Sequence, residues 1–87
     1  MVIKVGRERD PAKRIRQRQG STIRKIREDI RQLSVEEFAE RLDVTPGAVR
    51  HWETGRYSPR PHHQVAIART LDVPWSTIFG LDAESAA

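Results

Sequence analysis

The sequence predicts a small all-α domain, and three observations carry that prediction. Apolar residues recur at helical spacing in short segments, with a hydrophobic fraction of 37% and few β-branched runs. Helix start signals recur along the chain. The densest stretch, residues 34–55, holds two starts, two apolar stripes and one break. Ser34 with Glu37 three residues on is a capping box, in which hydroxyl and carboxylate satisfy orphan N–H groups at a helix start. Val35, Phe38, Ala39 and Leu42 follow on one face. Asp43 and Val44 interrupt, and Thr45-Pro46 starts again with a hydroxyl cap and a proline at the first helical position. Val49 and Trp52 make the second stripe, and Gly55 stands where a glycine stop belongs. Two short helices with so tight a joint cross steeply, which predicts a helix-turn-helix.

The remaining elements follow in order. Met1 to Val5 alternates apolar and polar residues, compatible with a short strand or an extended end. Asp10-Pro11 is a helix start, and Ile15, Gln19, Ile23, Ile26, Ile30 and Leu33 continue at spacings of three or four. Gly20-Ser21 either separates an arm helix from a domain helix or lies inside one long helix, at a cost of ~1 kcal/mol. The domain helix is expected over 21–32, burying Ile23, Ile26 and Ile30. After Gly55 a proline-fixed loop (56–61) leads to a fourth helix over 62–71. Its inner stripe is Gln64, Ile67, Ala68 and Leu71. Asp72-Val73-Pro74 breaks it, and a short fifth helix, 75–79, closes the core with Ile78 and Phe79. The expected organisation is a basic arm (1–20), a helix-turn-helix domain (21–81) and a frayed tail (82–87).

With 87 residues the chain makes one domain near the lower limit for independent folding. No run has the length of a membrane span, no signal-peptide core opens the chain, and the absence of Cys excludes a disulfide framework or thiolate zinc site. The net charge of +4 is unevenly placed. Residues 1–19 hold seven bases against two acids, and the remaining 68 hold nine against ten, so the whole excess sits in the arm. A basic segment on a near-neutral domain is a footprint of nucleic-acid binding; the alternative is a solvated tail.

The pattern Ser34, Phe38, Ala39, Leu42, Val44, Val49, Trp52, Glu53, Gly55, continuing through Pro59, IARTLDV (67–73) and WSTIF (75–79), resembles the lambda-repressor-like (Cro and phage repressor) helix-turn-helix family. The resemblance spans roughly 22–81 and implies a compact five-helix DNA-binding fold. Three departures stand out. Asp43 holds the turn position where the family usually has Gly, which asks an Asp to adopt a left-handed conformation. Val35 replaces a phosphate-touching Gln. The segment 27–33 is one residue longer than usual and lacks the Gly before Leu33. The resemblance also pairs Arg27 with Glu53, as an ion pair tying the first helix to the end of the second motif helix; the alternative is a solvent-facing Arg27.

With Val49 and Trp52 inward, helical geometry turns Pro46, Gly47, Arg50 and His51 outward, the positions the resemblance assigns to base contact. Only Arg50 and His51 carry polar side chains there, and Arg50 suits bidentate pairing to guanine. Thr45 and the start of its helix, with Arg56, Tyr57, Ser58 and Arg60 in the following loop, are expected at the DNA backbone. Lys13, Arg14, Arg16 and Arg18 are expected to add backbone or minor-groove contacts.

The sequence carries no phosphate loop, paired-carboxylate site or Ser/His/Asp set, and adjacent His62 and His63 make no metal site. No enzyme activity, cofactor or metal is therefore expected. The resemblance implies a Cro-like or minimal repressor of a bacterial or phage-infected cytosol, binding double-stranded operator DNA. It would act as a dimer through Trp75, Ile78, Phe79 and Leu81, if these exceed what the core needs, or as a monomer helped by its arm. The rival readings are an antitoxin of a toxin–antitoxin pair and a protein-interaction module that binds RNA polymerase or another regulator.

Overall fold

A computed structural model describes residues 10–80. The strand-like start at Met1–Val5, Leu81 and the tail 82–87 lie outside the described residues. Those described form five helices and no strand: α1 (Pro11–Lys25), α2 (Val35–Leu42), α3 (Pro46–Thr54), α4 (Pro61–Leu71) and α5 (Trp75–Phe79). A π-helical turn, Ile26–Ile30, extends α1. The core is one cluster around Ile23, Phe38, Val49, Ile67, Leu71 and Ile78, each completely buried.

Of the two readings open at Gly20-Ser21, the structure takes the single long helix. Asp10 caps it by accepting from the Lys13 N–H (3.1 Å), and Pro11 stands at the first turn. Gly20 lies inside the helix because α3 ends against it. A β-carbon there would overlap the carbonyl oxygens of Trp52 and Glu53, 2.6 Å from the latter. The helical cost of glycine thus permits a close backbone approach. One turn earlier Gln17 covers Gly55, and Arg16 Nε donates to the Gly55 carbonyl (2.9 Å). The front of α1 is therefore fastened to the end of α3.

The extra residue in 27–33 appears as the π turn. The Arg31 N–H reaches back five residues to the Ile26 carbonyl and the Leu33 N–H six to that of Arg27, both at 2.9 Å. Single-residue insertions in a helix commonly take this form. The missing Gly before Leu33 is met by Gln32 at φ +54°. The widened turn corrects one expectation. Ile30 is 60% exposed, not core, because the 3.6-residue period that placed it inward fails across a π turn.

The capping box of α2 is formed in both directions: Ser34 Oγ accepts from the Glu37 N–H (3.0 Å) and the Ser34 N–H donates to Glu37 Oε1 (2.8 Å). Asp43 ends α2 at φ +59°, and Asp72 ends α4 at the same angle. Each stop closes with an N–H reaching back five residues, Val44 to Ala39 and Val73 to Ala68, both at 3.0 Å. Gly55 ends α3 at φ +81° with the equivalent bond from Arg56 to His51. Gln64, the polar member of the α4 stripe, ties two elements together. Its Nε2 donates to the Pro59 carbonyl (3.1 Å) and its Oε1 accepts from Trp75 Nε1 (3.0 Å).

The end of the chain's core forms as expected, and this narrows the expected dimer surface. Ile78 and Phe79 belong to the core, while Trp75 is 46% exposed. No helix of the described residues is long and apolar enough to cross a membrane.

Two glycine substitutions should move stability in opposite directions. Gly20→Ala is expected to cost ~1–3 kcal/mol by overpacking against the α3 backbone. Gly47→Ala, whose β-carbon meets nothing nearer than Thr45 Oγ1 at 3.8 Å, should gain up to ~1 kcal/mol in helix propensity. Urea unfolding of the two variants reads both signs.

Candidate nucleic-acid interface

The interface is built on α3. Thr45 caps it, its hydroxyl accepting from the Ala48 N–H (3.1 Å), and Pro46 begins the first turn. Val49 and Trp52 are buried, and this turns Arg50 outward, with His51 half-buried beside it. Pro46 and Gly47 are half-buried, and Gly47 leaves open space on the outer side. The His51 ring meets Tyr57 edge-on at 5.1 Å, and the Arg56 guanidinium lies 5.5 Å from the centre of the same tyrosine ring. The loop residues Arg56, Tyr57, Ser58 and Arg60 are all exposed just past the end of α3.

Beneath this face lies the Arg27–Glu53 pair. Arg27 is 4% exposed, and its Nε and Nη2 reach the two Glu53 oxygens at 2.6 and 3.0 Å. Nη1 donates to the Leu33 carbonyl (2.7 Å) and Nη2 also to Glu28 (3.3 Å). The hydrogen bond to Glu53 raises the Arg27 pKa above its usual value, with burial opposing and the charges of Glu53 and Glu28 adding. The guanidinium is permanently charged and each of its three nitrogens donates to an acceptor. Its work is geometric: it joins the π turn, the approach to α2 and the last turn of α3.

Between these elements opens a cleft of about 270 Å³ lined by Arg24, Arg27, Glu28, Val35, Arg50, Glu53 and Thr54. Arg24 lies in it because it precedes Arg27 by three residues and so shares its side of the helix; its Nε donates to Glu28 (3.3 Å). Arg50 does not stand alone. Its Nη2 is 3.0 Å from Glu36 Oε2 on α2, the two side chains 57% and 65% exposed. Neither Arg24 nor Glu36 stood out in the sequence as part of this face. The spacing to Arg27 was a signal for the first. The Glu36–Arg50 contact crosses the turn and has no local signature.

Of the arm residues, Lys13, Arg14 and Arg18 lie on exposed positions of α1, and Arg16 is half-buried through its bond to Gly55. Arg16 supplies a positive charge to the negative end of α3. Arg31 does the same for α4, donating from Nε to the Leu71 carbonyl (2.7 Å). The His62 and His63 rings lie 4.1 Å apart, tilted by 38°, and His63 meets the Trp52 ring at 5.3 Å. Among the described residues no group of His, Cys, Asp or Glu is placed to hold a metal.

A capped helix, α3, joined by a three-residue turn to α2 and packed against it, forms a helix-turn-helix, the fold of DNA-binding regulators. The chain belongs to the helix-turn-helix family of lambda-repressor-like type, whose model matches residues 23–78. Among solved structures, the clp gene regulator ClgR from C. glutamicum superimposes with a TM-score of 0.70 at 25% identity, over 84% of this chain and 94% of that one. A comparison with curated proteins finds no match.

Removing one half of the buried pair should be severe and removing both much milder. Arg27→Met is expected to cost ~3–5 kcal/mol, and Arg27→Met with Glu53→Leu to regain most of it. Thermal unfolding of the single and double variants checks this. A second prediction concerns pH. Burial, then the charges of His62 and Arg60, lower the His63 pKa below its usual 6.5. The folded state therefore favours neutral imidazole, and this contribution is complete above 6.5 and lost as pH falls from there through the lowered folded-state value. The melting temperature should drop between pH 7.5 and 5.5 by less in His63→Gln than in the parent chain.

Proposed function

We propose that this chain is a Cro-like, minimal repressor that occupies operator DNA with α3 in the major groove. The observation that carries the reading is the composition of the α3 face, where Arg50 is the exposed cation and His51 lies beside it. Arg50 reads a guanine, and His51 supplements it or positions the helix. Pro46 and Gly47 let the backbone come close to the bases. Thr45, Arg56, Tyr57, Ser58 and Arg60 hold the sugar-phosphate backbone on either side. The gene-regulator description of the ClgR structure supports a regulatory role.

So sparse a reader needs affinity from elsewhere, and the basic front of α1 supplies it. Because α1 is continuous and packed on α3, its exposed Lys13, Arg14 and Arg18 reach DNA from a rigid helix, with Arg16 serving as the fastener. A deletion of residues 1–19 would strip Arg16 and Gln17 from the α3 end, so charge removal is the cleaner test.

The test is selection of bound sites from a random-sequence duplex library, followed by titrations over a range of salt. Arg50→Ala should erase one guanine preference worth ~1–3 kcal/mol. Replacing Lys13, Arg14 and Arg18 by Gln should lower affinity for every sequence and reduce the salt slope by ~0.9 for each phosphate no longer neutralised. A selection without a consensus, or a consensus indifferent to Arg50→Ala, rejects the reading. A palindromic consensus identifies a dimer and an asymmetric one a monomer.

A further inference from the structure

We propose that Glu36 is a specificity-determining residue: through its ion pair with Arg50 across the α2–α3 turn, it reserves the guanidinium for a guanine edge and keeps it from phosphates. The inference rests on Arg50 acting in the major groove.

The geometry leaves Arg50 this partner and no other carboxylate nearby that is free to pair with it. Glu28 and Glu53 line the same cleft, but Glu28 receives Arg24 and Arg27 and Glu53 receives Arg27. Glu36 meets Arg50 end-on, one oxygen to one nitrogen at 3.0 Å. A guanidinium carries five N–H donors, and a guanine edge uses two of them. The contact to Glu36 and a bidentate contact to guanine are therefore compatible, with Glu36 serving as a brace.

A phosphate is a different case. An unbraced arginine on a groove-facing helix pairs as readily with the backbone, which binds every sequence alike. A carboxylate 3.0 Å from the guanidinium repels a phosphate drawn to the same group. It does not repel the guanine edge in the same way, since that edge carries acceptor dipoles and no net charge. Glu36 can itself accept from the N4 amino group of a cytosine. Glu36 weakens binding in general while sparing one base, and so raises the ratio between specific and non-specific sites.

The test compares the parent chain, Glu36→Gln, Arg50→Ala and the double variant. Two probes are used: the duplex the parent selects from the random library, and a scrambled duplex of equal length. Glu36 is exposed, so the isosteric Gln leaves packing intact, and thermal unfolding verifies it. Glu36→Gln is expected to bind the scrambled duplex ~3- to 10-fold more tightly and to raise the salt slope by ~0.9, the equivalent of one phosphate, with the specificity ratio falling by the same factor. In the Arg50→Ala background the same substitution should change little, which gives a non-zero coupling in the double-mutant cycle. An unchanged ratio in Glu36→Gln, or an equal effect with and without Arg50, overturns the proposal while leaving Arg50 as the reader. If Arg50→Ala alone leaves the ratio unchanged, the major-groove reading falls and this inference with it.

Discussion

Arg27 and Glu53 form the joint on which the rest of the structure depends. Their side chains are 5% and 6% exposed and meet side-on through two hydrogen bonds. Such a pair contributes little net stability, because two charges leave water to make it. What it contributes is registry. A planar guanidinium facing a planar carboxylate tolerates few relative orientations, and the third contact, to the Leu33 carbonyl, anchors the approach to α2. The last turn of α3 is thereby held at a set distance from α1, and Gly20 allows that distance to be backbone-to-backbone.

The arginines divide into those that build the molecule and those that face outward from it. Arg27 fills the joint; Arg16 and Arg31 close the carbonyl ends of α3 and α4. Arg50, Arg56 and Arg60 remain on the exposed face around α3. Charge count alone does not separate these roles, and the net charge of +4 understates how much of the basic inventory is structural.

Much of the fold was legible because it rests on local chemistry. The capping box at Ser34, the Thr45-Pro46 start, the Gly55 stop and the left-handed Asp43 each involve contacts within five residues along the chain. Ile30 was misplaced because a period of 3.6 residues carries no information about a turn that abandons it. The surplus residue before Leu33 was visible in the sequence, but its conformation was not. Gly20 stayed ambiguous because the element that requires a glycine is α3, more than thirty residues away. Ile78 and Phe79 show the same limit: an apolar residue on a short helix fits a core or a partner equally well until neighbours are known. In the candidate interface, the outward face of α3 followed from helical geometry, whereas the brace from Glu36 needed the crossing of two helices.

The continuity of α1 has a mechanical consequence. The nine residues ahead of Gly20 make a rod about 13 Å long at 1.5 Å per residue, clasped at one end by Gly55 and Arg16. A rod does not curl around a cylinder. The segment is therefore an outrigger on the fold rather than a belt. In the proposed complex, the reach of Lys13, Arg14 and Arg18 along the duplex is a dimension encoded in a helix rather than in a loop.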